Sequence, residues 1–198
     1  MATNPFPFLT PQRYLEMERE AEFRSEYIDG RAYAMSGGSR NHSWVIANTL
    51  GTLFEQLRGK RCGATSSDMR LYSEEFGIYT YPDIVVTCPP EQFLDNHKDT
   101  ITDAVVVVEV LSPSTKNYDR GEKFRFYRSL PSFAEYLILA QDTVRAEHHV
   151  KQANGSWLFH EYRSPEDELE LESIGCRLIL GRLYERVEFE SAEIPYRG

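Results

Sequence analysis

The chain is short of basic charge, of cysteine and of long apolar runs, and each shortage removes a class of protein. It carries 22 Lys and Arg against 31 Asp and Glu, a net charge of −9. A protein that coats nucleic acid through broad positive charge needs the opposite balance. An enzyme that meets nucleic acid through a local basic strip does not. There are 3 cysteines, Cys62, Cys88 and Cys176, an odd number set far apart with no C-x-x-C pair. Neither a zinc knuckle nor a disulfide framework is expected from them, and a reducing, cytoplasmic setting fits. Runs such as Ala104 to Val108 are far too short to span a membrane. Met1 to Thr10 has no basic n-region and no long apolar stretch, so no signal peptide is expected there. No internal repeat and no linker composition interrupts the chain.

What is present suits a single folded domain. The 198 residues are 41 % hydrophobic and 27 % charged, ordinary for a globular chain. One domain over residues 1–198 is expected, with an ordered core at about 10–190. Charge is unevenly spread. Residues 116 to 128 carry Lys116, Arg120, Lys123, Arg125 and Arg128 against Asp119 and Glu122, a net of +3. Residues 161 to 172 carry six acids against Arg163, a net of −5, which reads as a solvated face.

Thr10-Pro11 marks a helix start, with Tyr14, Leu15 and Met17 facing inward. Asp29-Gly30 between two alternating runs predicts a hairpin. After Ser36-Gly-Gly-Ser39, the spacing of Val45, Ile46, Leu50, Leu53, Phe54 and Leu57 predicts a helix over 42–57, stopped by Gly59. Strands follow between Cys62 and Cys88. Residues 89 to 103 read as a polar loop, and Ala104 to Leu111 as a strand buried on both faces. A third helix is expected over 118–130, then a buried strand over 133–140. An antiparallel pair should turn near Asn154-Gly155, and the last strand should run over 176–180. Interleaved helices and strands predict an α/β (α+β) fold with a mixed sheet and helices packed on it.

Glu109 is the most informative residue, because it lies inside Val105-Val-Val-Val-Glu-Val-Leu111. A carboxylate in such a strand loses solvation, which costs several kcal/mol unless it binds a metal, pairs with a cation or takes up a proton. The structural alternatives are a wet strand end or a buried salt bridge. Asp83 opens another apolar strand, directly after Pro82. If the two strands are neighbours, two carboxylates share a site and need a cation between them. Mg²⁺ (or Mn²⁺) suits that, since it uses one or two carboxylates plus waters and a phosphate. On the third helix, Asp119, Lys123 and Tyr127 fall at i, i+4 and i+8 along one stripe. That stripe either makes an exposed Asp119–Lys123 pair or turns Lys123 toward the carboxylates, where it would offset charge on a phosphoryl transition state.

Pro82-Asp83, Val108-Glu109-Val-Leu-Ser-Pro-Ser-Thr115, the Asp119, Lys123, Tyr127 spacing and Glu135-Tyr136 together resemble the Uma-two family of restriction endonucleases, within the PD-(D/E)xK nuclease superfamily. The resemblance extends to Glu26-Tyr-Ile-Asp-Gly30 and His42, and covers roughly residues 10 to 185. It implies a restriction endonuclease-like fold: a central mixed sheet flanked by helices, with an extra N-terminal helix and hairpin and C-terminal antiparallel strands. It also implies Mg²⁺ on Asp83, Glu109 and the main-chain carbonyl of Val110, and a DNA substrate. The superfamily lysine would stand at residue 111, which here is Leu111, so the resemblance moves that role to Lys123, with Arg120 and Lys116 as fallback cations. It sets Glu26 near metal waters and His42 near the phosphate, against plainer readings as a solvated strand residue and a helix-start residue. Asp68 reads as a turn residue or a neighbour of the cleft. Tyr127 reads as a packing residue, and Ser112, Ser114 and Thr115 as turn and cap residues.

The competing function is an accessory nucleic-acid-binding protein that keeps the fold without the chemistry. A third is a phosphodiesterase acting on RNA or a nucleotide. An aromatic share of 13 % suggests a homodimer, which would give two-strand cutting a geometric basis.

Overall fold

The structure is a computed structural model, and it describes residues 8–112 and 116–189. Ser114 and Thr115, read above as turn and cap residues, lie outside the described residues, as does most of the N-terminal stretch read for a signal peptide.

The N-terminal half contributes a five-stranded sheet. Helix α1 (Pro11–Glu20) starts where Thr10 Oγ1 accepts the Arg13 N–H at 3.2 Å, and it buries Tyr14, Leu15 and Glu18. Met17, expected inward, is exposed, because the inward stripe continues through Glu18. The hairpin β1 (Ser25–Ile28) and β2 (Arg31–Ala34) turns on Asp29 and Gly30, both at positive φ (47° and 76°). Two successive positive φ values match the strand twist, which is why Asp-Gly stands there. Helix α2 (Arg40–Leu57) follows, its Ser39 cap accepting the His42 N–H. Phe54, expected in the core, is 61 % exposed; the buried stripe is Val45, Thr49, Leu53 and Leu57.

Strands β3 (Gly63–Ser66), β4 (Arg70–Ser73), β5 (Ile78–Thr80) and β6 (Ile84–Thr87) come next. The polar loop contains a two-residue strand, β7 (Thr100–Ile101), parallel to β4. The first sheet has the order β2-β1-β5-β4-β7.

Strand β8 (Val106–Leu111) is buried at every residue. Residues 116–127 are helical in three pieces: α3 (Lys116–Tyr118), a π-helical turn Asp119–Lys123, and α4 (Phe124–Tyr127). The π turn was not expected from the spacing; such turns are frequent at functional sites. Strands β9 (Glu135–Ala140), β10 (Ala146–Lys151) and β11 (Trp157–Tyr162) complete a six-stranded mixed sheet, β11-β10-β9-β8-β6-β3, in which β8 and β9 are parallel. The acids of the 161–172 run are solvated as expected, but part of the run is also a strand. Strand β12 (Glu168–Leu171) pairs with β13 (Cys176–Ile179), burying Leu169 and Leu171 while Glu168 and Glu170 point to water. Helix α5 (Leu180–Leu183) closes the described core.

The second sheet has two covered faces. Against one, Val45, Leu53 and Leu57 of α2, with the β12–β13 ribbon, pack on Val106, Val108, Leu137 and Leu139. Against the other, Tyr127, Leu130 and Phe133 pack on Val107, Tyr136 and Ile138. Each fully buried Leu or Val contributes about 1.5–3 kcal/mol, so these two layers fix where β8 lies. A further correction concerns cysteine. Cys62 and Cys88 form a disulfide, because the β3–β6 register pairs Gly63 with Thr87 and brings the flanking cysteines opposite each other. Cys176 is buried and free.

Candidate active site

The site lies where the two sheets meet over the second half of β8. The β6–β8 register pairs Ile84 with Val108, so the next position sets Asp83 opposite Glu109. The Asp83 N–H donates to Glu109 Oε2 (3.4 Å), and Asp83 Oδ2 accepts the Val110 N–H (2.7 Å). Glu109 is 3 % exposed, on the face that meets the helical segment.

Lys123 enters from the π turn, itself 6 % exposed. Its Nζ is 3.0 Å from Glu26 Oε1, 3.1 Å from Glu109 Oε1 and 3.5 Å from Asp119 Oδ1. The exposed Asp119–Lys123 pair that spacing alone allowed is therefore replaced by a buried one. Glu26, with a plainer reading as a solvated strand residue, is also buried and accepts the Tyr81 N–H at 3.2 Å. Tyr127 packs as expected, yet its hydroxyl also donates to Glu109 Oε1 at 2.7 Å. His42, in the first turn of α2, holds Nε2 3.4 Å from Asp83 Oδ2 and also engages the Val110 backbone.

Other sequence candidates stand elsewhere. Arg120 forks onto Glu147, with contacts of 2.6 to 3.1 Å. Lys116 is exposed. Asp68 is an exposed turn residue paired with Arg24, not part of this cluster. Two residues carried no assigned role in the sequence. Tyr136 donates to the Asp119 carbonyl at 2.9 Å and pins the π turn. Tyr118 lies 5.7 Å beneath Lys123 Nζ, ring centroid to nitrogen. No spacing signal marks Tyr118, because its place depends on the π turn.

The electrostatics are unbalanced. Burial raises the Glu109 pKa well above the carboxylate range; Lys123 opposes this, while Asp83, Asp119 and Glu26 add to it. Burial lowers the Lys123 pKa, but Glu109, Glu26 and Asp119 outweigh it and hold the ammonium well above its ordinary range. One lysine thus faces three carboxylates, while Asp83, beside Glu109, is met by His42 and the Val110 N–H.

Does this set suit a divalent ion? Among the described residues no three His, Cys, Asp or Glu side chains converge as they stand into a metal-holding group. The Asp83–Glu109 pair nevertheless offers hard oxygen donors, and Mg²⁺ commonly uses two carboxylates and fills its shell with water and phosphate. The Tyr118 hydroxyl oxygen, whose ring lies beside Lys123, is buried with no hydrogen-bond partner among the described residues. An under-compensated carboxylate pair near an unmet hydroxyl fits an ion with its waters.

Comparison with known proteins bears on family and fold. Two proteins of Synechocystis sp. are similar over nearly their whole lengths. The uncharacterized protein slr1290 is 42 % identical over 188 residues, covering 93 % of this chain and 96 % of its own. The uncharacterized protein sll1609 is 35 % identical over 162 residues, covering 82 % and 92 %. A crystal structure from Anabaena variabilis, described as "a putative nuclease belonging to DUF820", superposes with a TM-score of 0.72 at 16 % identity, over 89 % of this chain and 98 % of that one. At that identity the likeness speaks for the fold. Residues 11–180 match the family Uma2, described as "Putative restriction endonuclease". With residues 11–180 of its 198 matched, the chain belongs to the Uma2 family.

Proposed function

We propose that the chain is a divalent-metal-dependent endonuclease that hydrolyses phosphodiester bonds in DNA. The observation that carries this reading is Lys123, held at 3.0 and 3.1 Å between Glu26 and Glu109 with Asp83 beside Glu109. Asp83, Glu109 and the Val110 carbonyl would hold the Mg²⁺ or Mn²⁺ ion. Such an ion, when bound, supplies Lewis acidity toward a phosphoryl oxygen.

The chain's own residues do the rest. Lys123 brings positive charge to a pentavalent phosphorus whose negative charge grows in the transition state. Glu26 and Asp119 keep that ammonium protonated and aimed. Glu26 would also orient a water for attack. Tyr127 donates to Glu109 Oε1 and leaves Oε2 directed toward Asp83. His42 stands at the N-terminus of α2, where both its ring and the helix end favour a phosphate.

Purified protein should nick supercoiled plasmid with Mg²⁺ or Mn²⁺ and not in chelator, and Asp83→Ala should abolish nicking. Undiminished cutting by that variant would overturn the proposal. Parallel assays on RNA and on small diesters separate a DNA enzyme from a phosphodiesterase of other substrates. A homodimer would let two such sites address two strands, and light scattering checks it.

One observation favours the second reading, an accessory protein that keeps the fold. Lys123 is enclosed by three carboxylates and does not reach outward. Calorimetric titration decides: heat of Mn²⁺ binding that vanishes in Glu109→Gln supports the enzyme, and no heat in the intact chain supports the accessory protein.

A further inference from the structure

Strands β10 and β11 extend the six-stranded sheet past the edge of the helical segment. Their register pairs His149 with Phe159, and β9–β10 pairs Tyr136 with His149. Residues directly opposite one another share a face, so Tyr136, His149 and Phe159 form one row across three strands. Phe124 lies over the inner end of that row. Its ring stacks on Tyr136 (centroids 5.3 Å apart, 17° between planes) and lies 4.5 Å from His149. Trp157 stands edge-on to Phe124 at 5.0 Å. Phe159, 5.1 Å from His149, ends the row and is 51 % exposed.

Packing alone does not call for this end of the row. Edge strands are ordinarily blunted by charge or proline. Here an edge strand presents a phenylalanine to water beside a half-buried histidine. The charges around it are uneven. Glu147 is taken by Arg120 and Arg145, and Glu161 by Arg163. Among the described residues Arg128 and Lys151 enter no ion pair, and the Arg128 guanidinium lies 4.9 Å over the Phe124 ring. Lys151 is exposed and pairs in register with Trp157, on the same face. In a chain of net charge −9 these cations make the strip a local exception.

We propose that this aromatic strip is a stacking platform for the bases of single-stranded nucleic acid, with Arg128 and Lys151 holding its phosphates. Ring faces tolerate any base and cations track the backbone, which is the chemistry that unpaired strands require and a closed duplex does not offer. A protein partner would find the same rings, but it has no general need of the two cations. The proposal takes its substrate class from the nuclease reading of the Glu109 site. Glu109, Ile138, Glu147 and Glu161 stand in one row across β8 to β11. At ~4.8 Å per strand, β11 is roughly 14 Å from Glu109, about four nucleotides at duplex rise. The platform would hold an unpaired strand or flap beside the cleaved bond.

Trp157 supplies the readout. The chain has 2 tryptophans, and Trp44→Phe leaves Trp157 as sole reporter. A mixed-sequence 15-nucleotide DNA single strand, titrated in EDTA at low salt, should quench Trp157 saturably, and the matching blunt duplex should do so far less. Phe159→Ala should weaken single-strand binding by about 5- to 150-fold, the range one stacked base contributes, with an unchanged melting temperature, and Phe159→Trp should restore it in a binding assay by anisotropy of a labelled strand. Arg128→Gln should weaken all base compositions alike. The proposal is overturned by an absence of single-strand binding, by equal affinity in Phe159→Ala, or by preference for duplex. It is equally overturned by a dimer that Phe159→Lys dissociates in a chain that binds no oligonucleotide. Asp83→Ala should bind the strand normally, so loss of cutting and loss of stacking are separate results. Metal-dependent cutting with no effect of Phe159→Ala removes the platform alone. Strand binding without any cutting removes the nuclease reading alone.

Discussion

Two buried clusters of ionisable groups lie on opposite faces of β8 and β9, and they are built from similar residues. On the α2 face, Glu135 Oε2 meets His148 Nε2 at 2.6 Å, while Glu135 Oε1 accepts both the N–H (2.8 Å) and the hydroxyl (2.5 Å) of Ser173. That cluster is closed: one acid, one imidazole, and partners for both carboxylate oxygens. On the other face one lysine answers three carboxylates, and the Tyr118 hydroxyl goes unmet among the described residues. A Ser, a His and a Glu invite comparison with a catalytic triad. Here, however, the serine is bonded to the acid and not to the imidazole, so no base stands ready to activate it. Satisfied polar groups organise a core, and unsatisfied ones await a ligand. Glu109 too has partners on both oxygens, so what separates the two clusters is the excess of acids over cations and the unmet Tyr118 hydroxyl.

The largest effect that tests this contrast is at Lys123. Lys123→Met strands Glu109 and Glu26 in the interior without their cation, and removing one partner of a buried pair costs about 3–5 kcal/mol. Denaturant unfolding should show that loss, and nicking of plasmid should fall to background. A variant as stable as the parent would mean that the carboxylates are not organised by Lys123. Next in size is the closed cluster. Glu135→Leu leaves the Ser173 and His148 donors unmet and should cost about 1–3 kcal/mol. Mn²⁺ binding, measured by calorimetry on the folded variant, should be unchanged, and a lost metal signal would show that the two faces are coupled.

Glu109→Gln should act in the opposite direction. It removes one of the three carboxylates crowded around Lys123 while Glu26 and Asp119 still hold it. In metal-free buffer the variant should gain roughly 1 kcal/mol, the usual return when strain at a functional site is relieved, and it should lose metal binding. A destabilised variant in chelator would show that Glu109 serves the fold as Glu135 does.

The same distinction explains what the sequence made legible. Glu109 stood out because a charge inside an unbroken apolar strand has few structural reasons to be there, and its strand proved buried at every residue. Asp29-Gly30 was readable because only certain residues accept two positive φ values in succession. Where local pattern sufficed, the reading held. It stopped short where long-range register decides. Glu26 looks solvated in its own hairpin and is buried by a helix that arrives some hundred residues later. The Cys62–Cys88 bond depends on the β3–β6 pairing, which spacing does not announce. Strand β12 hid inside an acidic run because its Glu-Leu-Glu-Leu alternation was outweighed by charge. Met17 and Phe54 fit their helical stripes by number but fall at the margins, where neighbouring elements do not reach.

A third charge cluster, at the surface, should give the smallest effect and completes the gradient. Arg19 bridges Asp99 (2.8 Å) and Asp95 (2.7 Å), and Arg70 also reaches Asp99. The hydrogen bond from Arg19 comes first among the causes holding the Asp99 pKa below the usual carboxylate range; desolvation pushes it up, and the charge of Arg70 and the Thr100 hydroxyl lower it further. A carboxylate depressed in the folded state stabilises above its unfolded pKa, near 4, and loses that contribution as pH falls through the folded value. The cluster ties α1 to the loop that carries β7, so the loss should appear as a falling melting temperature below about pH 4. Partial exposure of Asp99 makes the effect modest, since solvent screens the pair. Asp99→Asn should melt lower than the parent at pH 6, and the gap should narrow progressively as pH falls below about 4 toward the depressed folded value. A gap that stays constant would show that Asp99 contributes through packing and neutral hydrogen bonds, and that this cluster, like Glu135 and His148, is held by satisfaction more than by charge.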